Sequence, residues 1–398
     1  MLLPIGAFWG LVAVLGGARM PRVAAGWVLV AALLVRAPWI GSPPHLSDDL
    51  YRYLWEGLAL SAGHDPFSEA PATLAGLDDH LRSLVNHPEL TSVYPPLALW
   101  WFRLLAVGGS PAWAQLLTAL VDAGTAAVLV RASRRPAAGW IYAMHPLPVL
   151  ESACGAHIDV PAVALAAAAV LALRRDQRGL AVWATVAGAA TKLFPVVMLP
   201  AVLRQLPPRR ALVHLVAASL ATVALALPLV HVGPGLLSSA RLYAGTWSFL
   251  GFAFPWVEPL LGGATRPVLV AVGALVVARA SWTSRDPVEV WAAAGSAFVL
   301  LSPTVHPWYV LWALVPSLLL GRAGWALASV GSLQAYAVLA TWDAGSGSWS
   351  EQPWLWWWVW GCVLTGLAAG RWIQLRSDDE PTIVYPAANR SRKGSDAQ

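Results

Sequence analysis

Long apolar runs follow one another along nearly the whole of this chain, and almost all of its charge lies between them. Runs of this length match the thickness of a bilayer's hydrocarbon core, and a helix is the open structure that satisfies its own backbone there. Of 398 residues, 58% are hydrophobic and 12% charged, which excludes a soluble domain and predicts an all-α polytopic membrane protein. The net charge of +5 then carries no implication of nucleic acid, because Arg accumulates in the loops on one side of a bilayer. Cys154 and Cys362 are too few and too far apart for a disulfide framework or a metal cluster. The first run, 3–18, lacks a basic segment before it and leads directly to Arg19, Arg22 and another span, so it reads as a transmembrane helix rather than a cleaved signal. The 24 Trp suit membrane interfaces and sugar-binding surfaces alike.

Apolar length places spans near 3–18, 23–40, 111–131, 137–152, 158–173, 179–192, 194–205, 210–230, 265–280, 288–303, 307–321, 323–341 and 353–371. With the N-terminus outside, the clusters at Arg19, Arg131, Arg174, Arg204, Arg279, Arg322 and Arg371 all fall inside, provided that the run from Tyr94 to Val107 does not cross. That run is short, begins at Pro95-Pro96 and contains Arg103, so a half-inserted or interfacial helix is expected. The expectation is about thirteen transmembrane helices plus one partial helix. They form a single domain over residues 1–375, with outer loops at 41–93 and 231–264 and a disordered cytoplasmic tail at 376–398.

This topology collects the unusual polar groups on the outer side. The loop 41–93 holds Asp48, Asp49, Glu56, Asp65, Glu69, Asp78, Asp79 and Glu89 against Arg52 and Arg82. Asp48, Arg52 and Glu56 share a helix face, so Arg52 can hold one carboxylate and leave another free as a general base; Ser47-Asp48-Asp49 is equally an ordinary helix start. Glu151, His157 and Asp159 lie in an apolar, Ala-rich region, where ionisable groups mark either a function or a buried pair. Lys192, the sole Lys before the tail, stands between two short runs; it suits a phosphate as a point charge, or it snorkels to the interface. His306-Pro307-Trp308-Tyr309 sets a helix start beside two aromatics, fit for an anion and a sugar ring or for an aromatic belt. No Gly-rich phosphate loop, nucleophile elbow or zinc spacing is present.

The ordered segments 47–57, Gly63-His64-Asp65-Pro66-Phe67, Asn86-His87-Pro88-Glu89, Tyr94-Pro95-Pro96-Leu97, 155–159, 191–195 and 302–309 resemble the GT-C superfamily of polytopic glycosyltransferases. They are most similar to its bacterial polyprenol-phosphate-mannose-dependent mannosyltransferases, over roughly residues 23–340. The resemblance implies a GT-C-like architecture with a long first outer loop, in the plasma membrane with the active site extracytoplasmic. It implies inverting transfer of a hexose, first of all mannose, from a polyprenyl-phosphate donor to a lipid or glycan acceptor. Asp48 or Asp49 would be the catalytic base, and Lys192, His306 and Arg52 would hold the donor phosphate, with Arg241 assisting. Tyr51, His64, Asp65, Tyr94, His157, Asp159, Trp308, Tyr309 and Arg241 are the expected substrate contacts. No cofactor is required, and a divalent cation at the carboxylate pair stays open. Two spans precede the acidic loop where many relatives have one, so helix numbering does not transfer. A transporter or lipid-linked sugar flippase would also explain the many spans and the intramembrane His157 and Asp159. An inert scaffold of the same architecture is the third reading.

Overall fold

The computed structural model describes residues 25–229, 238–342 and 350–373, together with Phe8, Trp9, Leu11 and Val12. The expected span 3–18 lies mostly outside the described residues, as do the tail 376–398 and the segments 231–237 and 343–349. The described chain is all-α, and its nearest approach to a sheet is the isolated pairing of Phe249 and Leu250 with Thr304.

Besides the short helices Asp79–Ser83 and Leu199–Leu203, the α-helices in chain order are α1 (Ala25–Arg36), α2 (Asp49–Ser61), α3 (Pro96–Ala106), α4 (Pro111–Ala132), α5 (Ala137–Met144), α6 (Pro146–Ala153), α7 (Asp159–Arg174) and α8 (Arg178–Thr191). They continue as α9 (Pro208–Ala226), α10 (Ser238–Thr246), α11 (Phe254–Leu261), α12 (Thr265–Thr283), α13 (Pro287–Leu301), α14 (Leu311–Leu319), α15 (Gly324–Ser332) and α16 (Pro353–Ala369). Several starts follow directly from sequence. Ser110 and Asp286 cap α4 and α13 with their side chains, each followed by a Pro whose missing N–H costs nothing at a first helical position.

Three helical stretches among the described residues are long and apolar enough to cross a membrane: Pro111–Ala132, Pro208–Leu229 and Phe254–Thr283. The last differs from expectation, since the outer loop 231–264 is not all loop: α11 runs into α12 through a tight turn of helix. Elsewhere an expected single span is broken. The run 137–152 is two helices, because Pro146 cannot continue α5 and His145 stays extended, its Nδ1 accepting the Leu147 N–H to cap α6. The runs 307–321 and 323–341 are part 3-10 helix.

A central layer of α1, α4, α7 and α8 carries most of the core, with α13 to α16 against its other side. By contrast α9 and α12 expose apolar faces such as Leu212, Val213, Leu220, Val270 and Leu275, which water would not tolerate as a patch and lipid does. With the long apolar helices, these faces make this a membrane protein.

The acidic loop is built on α2 and α3. Gly57 lets the two helices touch: a Cβ there would stand 2.1 Å from the Phe102 carbonyl oxygen. Tyr53 stacks on Phe102, with ring centroids 4.5 Å apart. At 11 residues α3 spans only about 16 Å, too short to cross.

Candidate active site

The helix ends sort the charge. Asp49 opens α2, Glu151 sits in the last turn of α6, Asp159 opens α7, Lys192 follows α8, and His306, Trp308 and Tyr309 lie between α13 and α14. Arg131, Arg174 and Arg178 occupy the opposite ends of α4, α7 and α8. The polar groups singled out in the spans and their junctions therefore share one end of the bundle.

At that end Asn86 Nδ2 donates to Asp48 Oδ1 at 2.8 Å and to Asp49 Oδ1 at 2.7 Å, so one amide fixes both carboxylates. They then face differently. Asp48 remains exposed; crowding by neighbouring protein atoms, and then the Asp49 charge, raise its pKa from the usual carboxylate value. Asp49 turns inward, with Oδ2 3.4 Å from the Tyr53 hydroxyl and 3.7 Å from His157 Nδ1. His157 is fully buried and lies face to face with Trp308, centroids 3.9 Å apart; Trp308 stacks in turn on His306, and His306 on Phe249.

Beside this stack Lys192 Nζ donates to Asp159 Oδ2 at 2.9 Å and lies over the Tyr309 ring, while Trp312 Nε1 donates to Asp159 Oδ1 at 2.7 Å. The Tyr309 and Tyr243 hydroxyls are 2.6 Å apart. Tyr243 belongs to α10, so the segment that holds α10 packs against the acidic loop; Thr91 bonds Ser239, and His87 packs edge-on against Trp247. Burial pushes the imidazoles down, His157 to about 3 and His306 to about 4. Both are neutral at physiological pH, which leaves Lys192 as the cation of this cluster.

Other expected residues stand elsewhere. Arg52 spends its donors on the loop itself: Nε bonds Glu56, and the terminal nitrogens bond the carbonyls of Asn86, His87, Leu90 and Thr91. That is the carboxylate-holding use its spacing allowed, and it leaves Arg52 to brace the loop that carries Asn86 rather than to meet a phosphate. Asp65 accepts from Phe67 N and Ser68 Oγ within a turn, and His64 pairs with Glu69 at the same turn. Tyr94 packs edge-on to Tyr53, Tyr51 is half-buried on α2, and Arg241 is exposed on α10. No group of three or more His, Cys, Asp or Glu side chains that could hold a metal occurs among the described residues.

Sequence reasoning passed over Asn86 as a site residue, although its motif was visible, and missed Tyr53, Tyr243, Trp312 and Tyr336. It also missed a fully buried ion pair, Arg36 with Asp122, whose Nε–Oδ2 distance is 2.8 Å and which Tyr142 and Ser152 complete. The signal was there: an Asp in mid-run is costly in lipid and implies a partner. A cavity of about 660 Å³, lined by Arg135, Glu289, Arg322 and Arg371, touches none of these residues; it lies at the other ends of α13 and α14.

A helical membrane protein with a carboxylate pair, one cation and an aromatic wall gathered at one end is the construction of a GT-C-like glycosyltransferase. Residues 1–206 match the MptA_B family, described as alpha-(1->6)-mannopyranosyltransferase, N-terminal domain, and the chain belongs to that family. It is thus a glycosyltransferase of the mannosyl-transferring kind. No curated relative matches the chain.

Proposed function

We propose that this protein transfers mannose from a polyprenyl-phosphate donor to a hydroxyl of a lipid or glycan acceptor, with inversion, at the extracytoplasmic face of the plasma membrane. The observation that carries the reading is Asp49: one oxygen is fixed by Asn86, and the other is turned into an enclosed cluster that also holds Lys192. A carboxylate so placed takes the proton of an attacking hydroxyl without any special nucleophile. The leaving phosphate ester needs positive charge rather than a general acid, and Lys192 supplies it while Tyr309 and Tyr243 offer hydroxyl donors. An α-linked product formed by inversion requires a β-linked donor. Trp308 and His306 give the sugar an aromatic wall.

A small apolar crevice of about 90 Å³ between α3, α8 and α9, lined by Leu97, Trp183, Ala190, Thr222 and Leu225, reaches to within one turn of Lys192. It gives the isoprenoid tail a lateral way in from the lipid. In this arrangement the chain makes about thirteen spans, the shorter apolar helices stacking in pairs to cross, with the basic ends and the C-terminal tail cytoplasmic.

The test is transfer of radiolabelled sugar from a panel of polyprenyl-phosphate donors by membranes expressing the protein. Mannose should move into an α-1,6-linked product. Absence of transfer from every donor overturns the reading.

A further inference from the structure

His157 is held where a structural histidine has no reason to be. Its ring is fully buried, and neither nitrogen makes a hydrogen bond among the described residues, although buried imidazoles ordinarily find partners. Two carboxylates nevertheless stand at its two nitrogens: Asp49 Oδ2 lies 3.7 Å from Nδ1, and Glu151 Oε2 lies 3.3 Å from Nε2. Such long approaches are typical of a catalytic contact before substrate tightens it. The ring cannot wander, because Trp308 covers one face and Gly155 lies close by; a Cβ on Gly155 would stand 2.6 Å from Cδ2 and 2.8 Å from Nε2. The turn that delivers it is strained, with Ala156 at φ 48°, a left-handed conformation rare outside glycine.

Beyond the ring, Glu151 is buried and accepts a hydrogen bond from the Tyr336 hydroxyl at 2.8 Å. No Lys or Arg bonds it among the described residues, so besides the Tyr336 hydroxyl on Oε1 the imidazole is the neighbour with which its Oε2 can share a proton. The residues stand in a row, Asn86, Asp49, His157, Glu151, Tyr336, hydrogen-bonded at its two ends and with the imidazole 3.7 Å and 3.3 Å from the carboxylates on either side.

We propose that His157 and Glu151 form a proton relay behind Asp49, in which His157 orients the base and Glu151 receives the proton drawn from the acceptor hydroxyl; this rests on the transfer reaction proposed above. In the step, the acceptor O–H bond breaks, its proton passes to Asp49 Oδ2, and the oxygen's electron pair forms the bond to the anomeric carbon. The bond from that carbon to the phosphate oxygen breaks, and its electron pair leaves with polyprenyl phosphate. Asp49 hands its proton to His157 Nδ1 as Nε2–H gives its own to Glu151 Oε2, so the ring changes tautomer and need not become a cation. Low basicity of the buried ring favours this concerted passage. The proton returns along the same row to water when product leaves, and Asp49 is again an anion.

The groups that face the relay are Asp49 from α2, Glu151 from α6, Asp159 at the start of α7, Lys192 after α8, His306 and Tyr309 before α14, and Tyr336 from the 3-10 helix after α15. Glu151→Gln keeps the side-chain volume and the bond from Tyr336 while removing the proton acceptor. It should lower kcat about 10-fold or more with donor KM nearly unchanged. The rate in mixtures of light and heavy water should bend for the native enzyme, with more than one proton in flight, and become linear in Glu151→Gln. Gly155→Ala, which pushes on the His157 ring while leaving every titratable residue in the sequence unchanged, should give the same kcat loss.

A turnover-independent arm separates the two readings. In protein labelled with ¹⁵N-histidine, with His157 assigned by its loss in His157→Asn, both Asp49→Asn and Glu151→Gln should shift the ring-nitrogen signals. Native kcat and an unchanged pH profile in Glu151→Gln overturn the relay, as do His157 signals indifferent to both carboxylates. If the native protein transfers no mannose while those signals still couple, the transfer reaction fails and the coupled row stands.

Discussion

Asp49→Asn and Asp48→Asn should separate sharply, although the two residues are adjacent. Asn86 holds both carboxylates through their Oδ1 atoms, and an asparagine at either position can still present an oxygen there, so neither change should unfold the loop. What differs is the second oxygen. That of Asp49 faces Tyr53 and His157 inside the cluster, whereas Asp48 stays exposed at the N-cap position of α2, where its side chain makes no capping hydrogen bond. Loss of a general base costs about 10²–10⁴ in rate, or roughly 3–5 kcal/mol of transition-state stabilisation. Asp49→Asn should therefore lower kcat by that factor with donor binding intact, while Asp48→Asn should stay within about 3-fold of native. The assay is single-turnover transfer of radiolabelled mannose in detergent, with donor affinity measured separately. Equal losses in the two variants, or an Asp49→Asn enzyme within a few-fold of native, would refute the assignment of the base.

Lys192→Met should raise donor KM more than it lowers kcat, and because it leaves Asp159 buried without its cation it should also destabilise the protein by about 1–3 kcal/mol. Adding Asp159→Asn should restore the melting temperature but not donor affinity. Asp122→Asn leaves Arg36 uncompensated in a fully buried setting and should cost about 3–5 kcal/mol, whereas Arg36→Met with Asp122→Asn should regain most of it in thermal unfolding. Stability should depend on pH through His306, half-buried in the aromatic stack. His306, at about 4 folded against 6.5 unfolded, lets the unfolded chain bind more protons between those values. Its contribution is therefore complete above pH 6.5 and lost as pH falls toward 4. In melting curves across that window, His306→Phe should lose less stability than native.

How much of this was legible in the sequence depends on whether a feature is periodic or convergent. Apolar length and the placement of Arg are periodic along the chain, so the class and the common end of Asp49, Asp159, Lys192 and His306 could be read directly. The break at His145-Pro146 was visible as Pro, yet its effect was not, because a kink becomes two helices only with His145 extended and its side chain capping Leu147. Convergent features were not legible. Nothing local says that Arg52 will find four carbonyls from residues 86–91, since that depends on the return path of the loop. Nothing local pairs Arg36 with Asp122 either, 86 residues away. The choice between Asp48 and Asp49 is of the same kind, because it is made by Asn86, Tyr53 and His157 together.

An anionic donor entering a cluster with several carboxylates and one ammonium presents an electrostatic difficulty, which the surroundings of Asp159 reduce. Asp159 stands in the first turn of α7, where the helix dipole favours a negative charge, and it accepts the Trp312 N–H as well. Part of its charge is thereby balanced without Lys192, and the ammonium keeps a net field toward the site while being held in place. Lysine suits this position better than arginine. Its compact ammonium has three donors, of which one goes to Asp159, leaving others for a phosphate oxygen, and it fits over the Tyr309 ring. A planar guanidinium would lock both terminal nitrogens onto the Asp159 carboxylate and present less charge to the donor. Anchoring one hydrogen of a point charge thus serves both fold and chemistry, which accounts for a lone Lys in a chain that otherwise uses Arg up to its tail.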